Sequence, residues 1–327
     1  MPEPFRLLVY LGGIMAFVGL NAAYLVWVER KAAARFQRRP GPTEVGPAGL
    51  LQPLADAIKL LSKQVLVPPE ADRLLFRLAP AVVMAPALMC LAVLPFSERL
   101  GARDVPLGLV LVFAFGSIHV LALMVAGWAS RNKYSIISAA RVVSQNVAYE
   151  IPLLLVVITV LMMTGTTSLR EIVDGQAGAF WHWNLFNLKV NPLMPVTFVI
   201  FFICLLAEMN RAPFDMAEAE SELVAGAFTE YAGMSFGVFF MAEYANIVVG
   251  CALATILFLG GWHSPVGLLP GLGWFLLKLY ALIFVVVWVR WTFPRTQFYR
   301  LLNLSWKILI PISMFTLVLT SVMMKLF

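Results

Sequence analysis

AEMNRAPFDMAEAESELVAGAFTEYAG, from Ala207 to Gly233, decides how this chain is read. It carries Glu208, Asp215, Glu218, Glu220, Glu222 and Glu230 against one base, Arg211, and it lies between two long apolar segments. On a soluble surface such a cluster costs little. Held close to lipid on both sides, clustered carboxylates repel one another and lose solvation, which favours protonation and poises such groups to take up and release protons. A solvated acidic loop between two membrane helices is the alternative reading. Glu218 and Glu222 are four apart and share a face if helical, where two close carboxylates titrate as a pair, while Glu220 points away. Asp215, following Pro213, belongs either to this acidic set or to the cap of the next helix.

Outward from that stretch, the chain is 61% apolar and 13% charged, with mean hydropathy +0.86. Soluble domains carry about twice that charge fraction. The expected fold is an all-α polytopic membrane protein forming a single integral membrane domain over residues 1–327. Eight apolar segments stand out, at about 7–28, 74–95, 107–129, 148–165, 193–207, 232–261, 268–289 and 308–324. Most reach the roughly 20 residues that cross a hydrocarbon core. The fourth and fifth are short. The first lacks a small-residue cleavage site and reads as a retained span. Lys and Arg concentrate in the connections after spans one, three, five and seven, which places those connections in the cytoplasm and both termini outside. The stretch 207–233 is then an acidic cytoplasmic loop. The net charge of +6 reflects this bias and gives no reason to propose nucleic-acid binding.

The first cytoplasmic connection, 29–73, is interrupted by Pro40, Gly41, Pro42, Gly46, Pro47 and Gly49. After them Leu50, Leu51, Leu54, Ile58 and Leu61 recur every three or four residues. That pattern predicts an amphipathic helix lying in the membrane interface or packed only against protein. Glu150 precedes Pro152 by two residues, where the helix should be irregular and backbone carbonyls free. Glu243 lies well inside apolar sequence beside Tyr244 and Asn246. A lone charge at that depth costs at least roughly 2.5–3.5 kcal/mol, so it must face protein or water. Lys278 and Asn21 raise the same question, with Lys278 either paired to an acid or part of a transport route. Trp181 and Trp183 in the connection 166–192 fit an interface belt.

Cys90, Cys204 and Cys251, like His119, His182 and His263, are dispersed singly and read as packing residues with no metal or haem spacing. No glycine-rich nucleotide loop is present, and no repeat aligns the two halves as in many secondary transporters. Redox cofactors therefore fall to partner chains.

Taken together, ERK (29–31), GP (41–42), VGPAGLLQPLADAIKL (45–60), GWAS (127–130), AEMNRAPFD, EAESELV (218–224), FFMAEYAN (239–246), PR (294–295) and WK (306–307) strongly resemble one family. It is the quinone-chamber membrane subunit of respiratory complex I, the proton-pumping NADH:quinone oxidoreductase. The resemblance runs from about residue 24 to 311 and implies eight transmembrane helices with both termini outside. It also implies a bacterial inner-membrane location. Quinone is then the substrate, and iron–sulfur clusters and flavin belong to partner subunits, with none bound by this chain. The implied partners are soluble quinone-site subunits and antiporter-like membrane subunits. Carried over by position, the resemblance assigns the quinone chamber to Arg30, Arg39, Asp56, Phe228, Arg290 and Arg295. It assigns the route that couples quinone reduction to proton or sodium translocation to Glu150, Glu208, Asp215, Glu218, Glu220, Glu222, Glu230 and Glu243. The chain departs from the pattern at Thr43, at Gln64 and in QFYRLL (297–302), which lacks the family's Asp. Related subunits serve deazaflavin- or ferredoxin-dependent oxidoreductases and energy-converting hydrogenases.

Overall fold

The computed structural model describes residues 3–98, 100–101, 104–187, 191–216, 225–266 and 271–326, with side chains from residue 9 onward. It is a bundle of membrane-length helices. These are α1 (Glu3–Phe36), α3 (Arg73–Val93), α4 (Gly108–Ala129), α5 (Lys133–Thr164), α8 (Met234–Phe258), α9 (Leu272–Thr292) and α10 (Phe298–Leu326). The apolar helix α7 (Met194–Glu208) is shorter, at 15 residues. Two short helices complete the set, α2 (Gln52–Ser62) and α6 (Leu169–Asp174). Among the described residues the only β pairing is an isolated bridge between Ala179 and Val266. The chain is an all-α polytopic membrane protein.

The fourth apolar segment is not short. Its helix, α5, runs 32 residues from Lys133, because Asn132 caps it, its Oδ1 accepting from Tyr134 N at 2.9 Å. Its first half buries Ser135, Ser138, Val142, Gln145 and Asn146 against protein and so reads as polar while being helical. Pro152 does not break it either. A proline removes the donor that would serve the carbonyl four residues back, here Ala148, and Ser305 Oγ from α10 donates to that oxygen instead. Ser305 opens a π turn, Ser305–Leu309, inside α10. Glu150 thus sits on regular helix whose freed carbonyl is capped by a neighbour.

At the centre is α8. From Ile247 to Phe258 every residue is buried, enclosed by α1, α3, α7 and α9. Small residues permit that enclosure, as in membrane bundles generally. A Cβ on Gly250 would lie 2.3 Å from Met209 Cε and 2.6 Å from Leu205 Cδ2, so α7 touches α8 there.

One end of the bundle gathers the C-termini of α1, α4, α7 and α9 with the N-termini of α3, α5, α8 and α10. Asp72 N donates to Ala129 O at 3.0 Å and Thr296 N to Pro213 O at 2.9 Å across this end. Here α2 is tied to α1 by Arg30 and Asp56, 2.7 Å apart. Leu60 of α2 packs beside Gly237 of α8. Its Leu54, Ile58 and Leu61, with Leu50 and Leu51 before it, face outward and exposed.

Among the described residues Lys278 pairs with no acid and is held by backbone carbonyls. At the opposite end its Nζ donates to Leu259 O (2.6 Å), Gly261 O (3.0 Å) and His263 O (2.7 Å), and it lies 4.0 Å from the Trp183 ring centroid. It caps the C-terminus of α8, where carbonyls are left over and the helix dipole is negative.

Candidate functional site

The turn after α7 places the acids. Buried Gln145 of α5 donates through Nε2 to Ala207 O at 2.7 Å and Phe214 O at 2.9 Å, pinning both ends of the segment 207–214. Glu208 is thereby held at the tip of α7 and Arg211 is turned back into the bundle, almost fully buried.

From this turn a chain of charged and hydrogen-bonded groups crosses the bundle. Arg290 of α9 donates to Glu29 Oε1, and Tyr244 OH donates to Glu29 Oε2 at 2.6 Å. Arg211 covers the Tyr244 ring with its guanidinium 4.5 Å from the centroid, and its Nη2 lies 3.4 Å from Glu243 Oε2. Leu25, Ile247, Ile283 and Val286 surround Glu29, Arg211, Tyr244 and Arg290 with apolar atoms. In such surroundings the charges persist only because each has an opposite partner.

Deeper along α8, one helical turn beyond Glu243, Asn246 lines a cavity of about 40 Å³ together with Cys90, Gly116, His119 and Glu208. A second cavity, of about 20 Å³, is lined by Ser117, Asn146, Tyr149, Glu150 and again Glu208. Each exceeds the roughly 10–15 Å³ that admits one water. Ser117 Oγ donates to Glu150 Oε1 at 2.8 Å. A Cβ on Gly116 would meet Glu208 Oε1 at 2.8 Å, so this glycine is what admits the carboxylate. Glu208 therefore stands between two water-sized cavities, with Glu150 on one and Asn246 on the other.

The other expected residues are placed as follows. Asp215 is buried and accepts from Arg295 Nη2 at 3.2 Å, joining the segment after α7 to the one before α10. The helix it was expected to cap lies outside the described residues, as do Glu218, Glu220 and Glu222. Arg30 pairs with Asp56, which also accepts from Gln52 Nε2 at 3.0 Å. Arg39 is exposed and donates through Nε to Gln37 Oε1 at 2.7 Å. Phe228 is buried against Phe239 with ring centroids 4.7 Å apart. Glu230 accepts from Asn132 Nδ2 at 2.6 Å and so holds the cap of α5.

Glu29, Tyr244, Ser117, His119 and Asn246 complete the site, and their sequence context hides it. Glu29 adjoins Arg30, but on a helix consecutive residues diverge by about 100°, so Glu29 faces inward while Arg30 reaches α2. Among the described residues no group of three or more His, Cys, Asp or Glu could hold a metal ion.

A helical bundle with ionisable side chains paired and hydrogen-bonded deep inside it defines a polytopic membrane protein with polar groups at membrane depth. Comparison narrows the class. Residues 9–321 match the family described as NADH dehydrogenase. The H-type subunit of NADH-quinone oxidoreductase from Desulfotalea psychrophila is 58% identical over 96% of this chain and 95% of its own. The H-type subunits from Dehalococcoides mccartyi (42% identity, 97% of this chain and 86% of theirs) and Carboxydothermus hydrogenoformans (40%, 97% and 89%) are also similar. The chain belongs to the family of H-type subunits of NADH-quinone oxidoreductase, respiratory complex I, and is a membrane subunit of that oxidoreductase.

Proposed function

We propose that the charged end of the bundle forms much of the quinone-binding chamber and that the acids leading inward from it couple quinone reduction to the translocation of protons or sodium ions. One observation carries this reading. The linked groups Arg290, Glu29, Tyr244, Arg211 and Glu243 run from that end to α8, and the two cavities continue the line through Asn246 and Glu208 to Glu150. Reducing a quinone consumes protons beside the first of these groups. Any change of charge there is felt by the next, because paired ions in apolar surroundings are weakly screened.

In this reading Arg30, Arg39, Asp56, Arg290 and Arg295 shape the polar rim, and Phe228 supports its wall by packing. The leucines of α2 rest in the membrane interface, and α1, α2 and α8 frame an opening to the bilayer through which a long-tailed quinone enters. Glu218, Glu220, Glu222 and Glu230 extend the acidic face of the loop 207–233, on the cytoplasmic side of a bacterial inner membrane with both termini outside. Soluble subunits carrying iron–sulfur clusters and flavin bring electrons to that face, and antiporter-like membrane subunits receive the coupling signal.

The rim residues provide the test. In the assembled complex, Arg295→Ala removes a partner of Asp215 and Arg39→Ala removes a cation from the same end. Each should abolish quinone reduction while electron transfer to a soluble artificial acceptor continues. Equal loss of both activities would assign these residues to assembly and defeat the chamber reading.

A further inference from the structure

We infer that His119 and Asn246 form a two-position proton switch that sets the protonation of Glu208. The inference rests on the proposed route through Glu208 and deepens it.

His119 is buried on α4, among apolar residues, and both its ring nitrogens are engaged. Nδ1 lies 3.0 Å from Val83 O, in the turn of α3 just before Pro86. A carbonyl can only accept, so Nδ1 carries a hydrogen whatever the charge of the ring. Nε2 lies 2.8 Å from Asn246 Nδ2. In the neutral ring Nε2 is an acceptor, so the carboxamide donates to it and turns Oδ1 the other way. A proton added at Nε2 converts that nitrogen to a donor, which the amide can meet only through Oδ1. The carboxamide must then turn over. Among the described residues no second hydrogen bond holds it in either position.

Asn246 lines the cavity of about 40 Å³ that Glu208 also lines. With His119 neutral, Asn246 offers the cavity an acceptor, which suits a protonated Glu208 carboxyl. With His119 charged, it offers an NH₂ donor, which suits the carboxylate. A proton on His119 and a proton on Glu208 therefore exclude one another. The step transfers one proton from the Glu208 carboxyl through cavity water to His119 Nε2 as the amide turns, with no heavy-atom bond made or broken. The other titratable group facing this cavity is Cys90 of α3. Glu243 lies one turn away on α8, and Glu150 of α5 lines the adjoining cavity beyond Glu208. Gly116 and His119 are three apart on α4, so the carboxylate and the imidazole lie on one helix face.

The test compares His119→Gln, which keeps polar atoms for Val83 and Asn246 but takes up no proton, with wild type in the reconstituted complex. Quinone reduction and ion uptake are followed together from pH 5 to 8. The variant should lose ion uptake per quinone reduced by roughly a hundredfold, as on removing a positioned acid–base group, and show a flat pH profile for the remainder. Redox-induced infrared difference spectra of ¹⁵N-histidine-labelled complex should contain an imidazole-to-imidazolium signal that the variant lacks. If His119→Gln fails to assemble, Asn246→Leu, which leaves His119 on Val83, should lose uptake in the same way. Wild-type uptake in an assembled variant, or an unchanged histidine signal in His119→Gln, overturns the switch. Uncoupling by Glu208→Gln alongside normal uptake in His119→Gln would refute the switch alone, whereas wild-type uptake in Glu208→Gln would remove the route itself.

Discussion

Arg211 holds Glu243 and the Tyr244 ring in register, and its removal has a calculable effect. The Arg211–Glu243 pair is 3.4 Å apart, with the two side chains 3% and 11% exposed. At an effective dielectric near 20 that separation corresponds to about 5 kcal/mol of attraction. Removing one member of a buried pair typically costs about 3–5 kcal/mol, because the other charge is left behind. The stack on Tyr244 adds about 1 kcal/mol at a partly desolvated site. Arg211→Met should therefore destabilise the fold by about 4 kcal/mol, a large part of the roughly 5–15 kcal/mol that holds a domain folded. Glu243→Gln in the same chain removes the stranded charge and should recover more than half of that loss. The assay is thermal dissociation of the detergent-solubilised complex for wild type, both single variants and the double variant, treated as a double-mutant cycle. An interaction energy below about 1 kcal/mol would show that the pair is only geometric and refute the argument.

Two further predictions address other parts of the structure. Gly116→Ala places a methyl group 2.8 Å from Glu208 Oε1, and the carboxylate can swing aside, so the complex should assemble normally but pump several-fold less per quinone reduced; vesicle assays showing unchanged coupling would remove Gly116 from the site. At the opposite end of the bundle, burial pushes the Asp174 carboxyl above its ordinary 3.8, with Glu98 and Asp104 adding to the rise and Arg170 and His263 opposing it. The folded chain then binds that proton more tightly than the unfolded chain, so this group's contribution to stability falls as pH rises through a window opening near 3.8. Asp174→Asn should remove that slope and gain on wild type as pH rises, read from thermal unfolding across pH; a variant that loses ground with rising pH would contradict it.

Much of this architecture is legible in the sequence, for a physical reason. Apolar runs long enough to cross lipid have few alternatives, and an acid such as Glu243 inside one must be engaged because exposure to lipid is so costly. The amphipathic spacing from Leu50 to Leu61 likewise returns as α2 with its leucines outward. The length of α5 is hidden because hydropathy responds to polar atoms, while Ser135, Gln145 and Asn146 are buried against protein, not lipid. Pro152 reads as a breaker until Ser305, far along the chain, supplies the missing donor. Glu29 is hidden for the same reason. Its partners Tyr244 and Arg290 are distant in sequence, and no local pattern announces a contact between α1, α8 and α9. His119 stands alone in an apolar helix and looks like packing until Val83 and Asn246 close on its two nitrogens.

The central claim is that Glu208 links the charged end of the bundle to ion movement. Its most direct test is Glu208→Gln in purified complex reconstituted into sealed vesicles, with quinone reduction and ion uptake recorded in the same sample. The amide keeps the shape of the side chain between the two cavities but cannot cycle a proton. Quinone reduction measured in the presence of an uncoupler should persist while ion uptake collapses. Ion uptake per quinone equal to wild type in the assembled variant would contradict the account.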